Sequence, residues 1–151
     1  MPMLILTTAR EARELVDRSN HCENALSIND VGFVNFSDVQ RQKIHNLLEL
    51  NCQDVEHPHI ANAPTLQTIE AICVWAKLCE SENALLHCSG SGARSTSAGL
   101  ITLMEWGYGA DHAVALVKMM RPTVRPNLLM LKLYGKLELL EAVMGSFSFA
   151  V

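Results

Sequence analysis

Between an apolar run, Ala84-Leu85-Leu86, and a helical pattern from Ser95 to Trp106, the chain carries His87-Cys88-Ser89-Gly90-Ser91-Gly92-Ala93-Arg94. The run reads as a short buried strand, and Leu100, Leu103 and Met104 recur on one face of the helix that follows. A strand that passes into a helix through a loop of small residues builds an α/β layer structure. It also makes an anion site. The first turn of the helix leaves N–H groups unpaired at its positive end, and successive loop amides add a concave nest. Cys88 would place a thiol at the floor of that cup, and Arg94 a guanidinium at its rim.

A bare Cys-x5-Arg spacing is weak, arising by chance in roughly one such chain in four. Requiring His before the Cys and Ser or Thr after the Arg lowers this to roughly one in a thousand, so His87 and Ser95 carry the signal. The remaining segments alternate short strands with helices. Leu4 to Thr7 predicts a strand and Ala9 to Asp17 a short helix; Ala25 to Ile28 predicts a second strand and Ser37 to Arg41 a helical turn. A third strand lies within Ile44 to Cys52, starting near Leu47, and Gln53 to Pro64 is a loop. Leu66, Ile69, Ile72, Cys73, Ala76 and Cys79 recur at helical spacing after Pro64-Thr65. Gly107-Tyr108-Gly109 ends the helix after the loop, Asp111 is placed to cap the next, and a last helix covers Pro126 to Met144. Such alternation predicts a three-layer α/β fold with a mostly parallel central sheet of about four to five strands flanked by helices.

With 151 residues and 49% hydrophobic content, residues 1–151 are expected to form one domain around a single core. The net charge of −4 and the lack of any Lys/Arg-rich block argue against a nucleic-acid or membrane-surface partner. Met1 to Thr7 lacks the charged start and apolar length of a signal peptide, and no stretch reaches the ~20 apolar residues of a membrane span. The five cysteines show no CxxC spacing, so reduced thiols in the cytoplasm are expected, without disulfides or zinc. His57 and His59, separated by Pro58, read as solvated loop residues, and Met119, Met120, Met130 and Met144 as core filler.

Taken with two further segments, the loop resembles the Cys-x5-Arg protein tyrosine phosphatase superfamily, in particular its compact dual-specificity branch and small bacterial tyrosine phosphatases. Those segments are Asp54 within Cys52-Gln53-Asp54-Val55, and Arg121-Pro122-Thr123-Val124-Arg125-Pro126-Asn127; the likeness runs from about Leu47 to Leu133. It implies a phosphotyrosine phosphatase-like fold and hydrolysis of phosphate monoesters, on phosphotyrosine or a mixed set of phosphoproteins, through a phosphocysteine. Cys88 would be the nucleophile and Arg94 the bidentate phosphate ligand. Ser95 would support the thiolate as it leaves, and Asp54 would be the general acid. Ser89, Gly90, Ser91, Gly92 and Ala93 would wrap the phosphate, with Asn127 supporting the loop and His87 orienting the cysteine backbone. Substrates would be phosphorylated proteins or small phosphorylated molecules, inorganic phosphate the product, and no metal or other cofactor would be required.

The chain departs from the superfamily at Ser91, where glycine is usual. Were that position to need positive φ, Ser91 would cost about 1 kcal/mol or more unless Gly90 and Gly92 redistribute the turn. This motivates the alternative of a phosphate-binding module that is weak or inactive in turnover. Sulfur or arsenate chemistry on a related loop is a third possibility, opposed by the placement of Arg94 and by Pro126-Asn127. Asp30 competes with Asp54 for the role of acid, and otherwise forms the turn after its strand. Arg121 and Arg125 read either as attractors of a phosphorylated substrate or as a solvated turn. Cys52 reads as a structural thiol or as a trap for oxidised Cys88.

Overall fold

A computed structural model describes residues 3–149. Four strands, β1 (Leu4–Thr8), β2 (Cys22–Asn29), β3 (Ile44–Asn51) and β4 (Ala84–Cys88), form one sheet in the order β1-β4-β2-β3, and every pairing is parallel. Helices α1 (Ala9–Arg18) and α2 (Asp38–Gln42) cover one face, where Ala12, Val16, Ala25, Phe36, Ile44 and Leu85 form a small core. The other face carries α3 (Leu66–Leu78), α4 (Ala93–Glu105), α5 (Ala110–Met120), α6 (Leu128–Tyr134) and α7 (Leu137–Ser146) over a much larger core. This is the expected three-layer arrangement.

Period-two alternation divides the residues of each strand between the two cores. Leu4, Leu6, Leu26, Ile28, Leu86 and Cys88 face the five-helix side, whereas Ala25 and Leu85 face the other. Ser27 and His87 share a register position of the β2–β4 ladder, and His87 meets Phe36 edge-on at 5.4 Å, which puts both polar residues under α1 and α2.

Several boundaries differ from the sequence expectations. β2 begins at Cys22 because Asn24, polar yet 1% exposed, donates to the Asn83 carbonyl (2.9 Å) and accepts from Asn46 Nδ2 (2.8 Å), so tertiary partners satisfy what sequence pattern reads as loop. The expected last helix is two, because Gly135 takes φ +78° and closes α6 as a left-handed cap. Asp111 does not cap α5; Gly109 holds the cap position and Asp111 lies in the first turn, where its charge still complements the helix dipole. Of the methionines, Met130 is fully buried, but Met119 and Met144 are 80% and 54% exposed, at helix positions turned away from the core. Among the described residues no helix is long and apolar enough to cross a membrane, and all five cysteines are free thiols.

Candidate active site

Parallel strands bring their C-terminal ends to one edge of the sheet, where open α/β sheets hold ligands. The ends of β2, β3 and β4 there deliver Asp30, Cys52 to Asp54, and the Cys88–Arg94 loop. Cys88 is the last residue of β4 and is 2% exposed; its Sγ lies 3.3 Å from Ser95 Oγ in the first turn of α4. The Ser95 hydroxyl donates to the Gly92 carbonyl at 3.1 Å, so rotation of one O–H turns it toward an ionised sulfur.

Gly90 and Gly92 carry the left-handed turns of the loop, with φ +73° and +95°, while Ser91 has no positive φ. The strain feared at Ser91 is therefore absent, because its glycine neighbours take up the turn. A Cβ at Gly92 would also stand 3.0 Å from Arg121 Nη2, so the Arg121 side chain packs directly on the loop. Gly92 is the N-cap of α4 and offers no side-chain acceptor, leaving the first-turn N–H groups open to an anion.

Arg94 is 2% exposed. Its Nη1 donates to Asp30 Oδ1 at 2.8 Å and to the Cys52 carbonyl, and its Nη2 donates to the Ser89 carbonyl at 2.8 Å. Nε is buried with no partner among the described residues. Of the five N–H donors of a guanidinium, three are thus engaged; one on Nε and one on Nη2 remain. These two neighbouring nitrogens can take two oxygens of one tetrahedral anion, a bidentate geometry unavailable to lysine.

Asp54 lies exposed on the loop after β3. Its Oδ1 accepts from Asn127 Nδ2 at 2.9 Å, and its Oδ2 faces the Ser91 hydroxyl at 3.5 Å. Asn127, 1% exposed, is a junction. Its backbone N–H donates to the Ala93 carbonyl (3.2 Å), its carbonyl accepts from Ser97 Oγ (2.8 Å), and its Oδ1 caps α6 through Met130 N–H (3.1 Å). One asparagine therefore ties the Asp54 loop to the start of α4. A cavity of about 440 Å³ opens beside this junction, bounded by Asp54, Ser91, Arg121, Thr123 and Asn127. Arg125 also lines this cavity, stacked over Phe149 at 5.5 Å from the ring centroid.

Beneath the loop, His87 is fully buried. Asn35 Nδ2 donates to its Nε2 at 3.1 Å, and Ser27 Oγ stands 2.6 Å from the same atom while accepting from Asn29 Nδ2 at 2.9 Å. Nε2 is thus the acceptor of both, which assigns the ring proton to Nδ1. Burial lowers the His87 pKa to about 4, with the nearby Cys88 backbone opposing this only in part, and Nδ1 itself has no hydrogen-bond partner among the described residues. Burial likewise pushes the Cys52 thiol up to about 11, with the Arg94 charge pulling the other way. His57 and His59 are exposed, and no metal-binding group of three side chains occurs among the described residues.

Sequence pattern missed the Asp30–Arg94 pair and the Ser27–His87–Asn35 network. The one signal for the network was a serine interrupting the apolar run of β2; Asp30 was marked as a turn residue or a rival acid, and nothing local marked it as a partner of Arg94.

No family model and no curated relative matches the chain. Solved structures do. Human DUSP28 superposes with a TM-score of 0.66 at 20% identity, over 95% of this chain and 92% of its own. The fold is that of the dual-specificity phosphatases. The active form of Tk-PTP matches with a TM-score of 0.61 at 18% identity, over 91% of this chain and 92% of its own. DUSP15 matches with a TM-score of 0.61 at 18% identity, over 98% of this chain and 94% of its own. On this dual-specificity phosphatase fold, the present chain sets its cysteine, arginine and aspartate around one loop at the sheet edge.

Proposed function

We propose that the protein is a cysteine-dependent phosphatase that hydrolyses phosphate monoesters, phosphotyrosyl or mixed phosphoprotein substrates foremost, through a phosphocysteine. The observation that carries this is the buried, unpartnered Nε of Arg94, in the open first turn of α4, the same turn whose Ser95 hydroxyl meets the Cys88 thiol. In the first step the Cys88 thiolate attacks phosphorus. The S–P bond forms as the ester P–O bond breaks, and Asp54 gives its proton to the departing oxygen. Arg94 and the loop amides hold the equatorial oxygens, where charge stabilisation does most of the work of phosphoryl transfer. In the second step water attacks phosphorus, Asp54 takes its proton, and the S–P bond breaks to release phosphate. The Ser95 hydroxyl donates to the returning thiolate. Asn127 holds Asp54 in place across the loop, and His87, neutral and locked by two donors, fixes the end of β4.

Asp54 is favoured over Asp30 as the acid because Asp30 is bound to the far end of the guanidinium, whereas Asp54 stands at the rim with the cavity before it. The alternative of phosphate binding without turnover was motivated by strain at Ser91, and that strain is absent. Purified protein is expected to hydrolyse an aryl phosphate in the presence of a metal chelator, and Cys88→Ser to abolish the activity. Full activity in Cys88→Ser would falsify the proposal.

A further inference from the structure

Arg94 places a full positive charge at 2% exposure, and two of its three partners, the Cys52 and Ser89 carbonyls, are uncharged. The third is Asp30, the only carboxylate bonded to it among the described residues. Asp30 is held there deliberately by its backbone. Its carbonyl accepts from Asn51 Nδ2 at 3.2 Å at the end of β3, and its N–H points to Ser89 Oγ at 3.4 Å in the catalytic loop. The two carbonyls already engage both terminal nitrogens of the guanidinium. What Asp30 adds is charge.

Resting on the phosphatase reading only in that the loop takes an oxyanion, we propose that Asp30 is the resident counter-ion of Arg94, a positioning residue that weakens the hold of the loop on phosphate. The carboxylate engages Nη1, away from Nε, so it does not occupy the oxyanion edge. It nevertheless repels any anion that arrives there, and a doubly charged product feels that repulsion most. At 39% exposure the Asp30 carboxylate is partly screened by water, which keeps the effect moderate and makes it fall with salt. The consequence is a site that stays compensated when empty and lets go of phosphate when full.

The test measures inorganic phosphate affinity by calorimetry, with kcat and KM for an aryl phosphate, in wild type, Asp30→Asn and Asp38→Asn. Asp30→Asn keeps an oxygen for Nη1 and removes only the charge. It is expected to bind phosphate about three- to tenfold more tightly and to lower KM without raising kcat, with the gain shrinking at high salt. Asp38→Asn, which removes an equal charge from exposed α2, is expected to match wild type. A merely structural Asp30 would predict the opposite sign, since a loosened site binds less. Unchanged or weaker phosphate binding in folded Asp30→Asn overturns the inference; so does failure of both Asp30→Asn and Asp30→Ser to fold. Phosphate affinity needs no turnover, so the two readings fail separately. A protein that binds phosphate more tightly as Asp30→Asn yet hydrolyses nothing retains the counter-ion and loses the phosphatase.

Discussion

The two faces of the sheet do different work. On the five-helix face, Leu26, Ile28, Ile72, Leu86, Leu100, Ile101 and Met130 are buried at 0% exposure in a core that is apolar almost throughout. On the face under α1 and α2, the apolar cluster is small, and Ser27, His87 and Asn35 run a hydrogen-bonded chain between it and the loop. The same alternating strands thus supply bulk stability on one side and a hydrogen-bonded polar support on the other, in which His87 Nδ1 alone of the imidazole nitrogens has no partner among the described residues. A buried polar group that loses its partner costs its full desolvation, so the thin face is the more specific and the less forgiving of the two.

Substitutions can break or sharpen this division. The largest effect is expected in the loop that both faces carry. Arg94→Lys should lower kcat/KM for an aryl phosphate by at least about 10²–10³-fold, since a single ammonium cannot offer adjacent donors to two oxygens. Asp54→Asn should lower kcat by about 10²–10⁴-fold, the range for a lost general acid, and the loss should shrink for esters whose leaving group needs no proton. Leu86→Ala on the thick face should cost about 3 kcal/mol of unfolding free energy in urea titrations while leaving kcat per folded molecule unchanged. If it instead abolished turnover in folded protein, the division between the faces would fail.

The thin face has a pH signature. His87 has its pKa lowered from 6.5 to about 4 by burial, so the unfolded chain binds a proton more readily between those values. Stability from this group is complete above about pH 6.5 and is lost as pH falls toward about 4, by on the order of 3 kcal/mol in all. Unfolding midpoints across that range should show the slope in wild type and lose it in a folded His87→Asn protein. The smallest effect is expected at Ser91→Gly, within about twofold in kcat/KM, because the left-handed φ values already sit on its glycine neighbours.

Much of this was legible from the chain. The strand-loop-helix unit, the parallel sheet and the residues of the loop follow from apolar periodicity, small-residue spacing and the order of elements. The α6–α7 break was harder, because helical periodicity continues across Gly135 and only its left-handed φ stops the helix. The start of β2 was hidden by Cys22-Glu23-Asn24, whose polarity is matched by Asn46 and Asn83 from distant segments. Asp30 was the main gap at the site. It lies 64 residues from Arg94, and only the pairing of β2 beside β4 brings the two within 2.8 Å. Spacing rules see motifs along the chain; they do not see which strand ends become neighbours.

The most direct measurement is mass spectrometry of protein mixed with an aryl phosphate and quenched in acid within its first turnovers. One phosphoryl group is expected on the peptide bearing Cys88, accumulating in Asp54→Asn as water attack slows and absent from Cys88→Ser. Hydrolysis that proceeds with Cys88 unmodified throughout, or a phosphoryl group found on another residue, would contradict it.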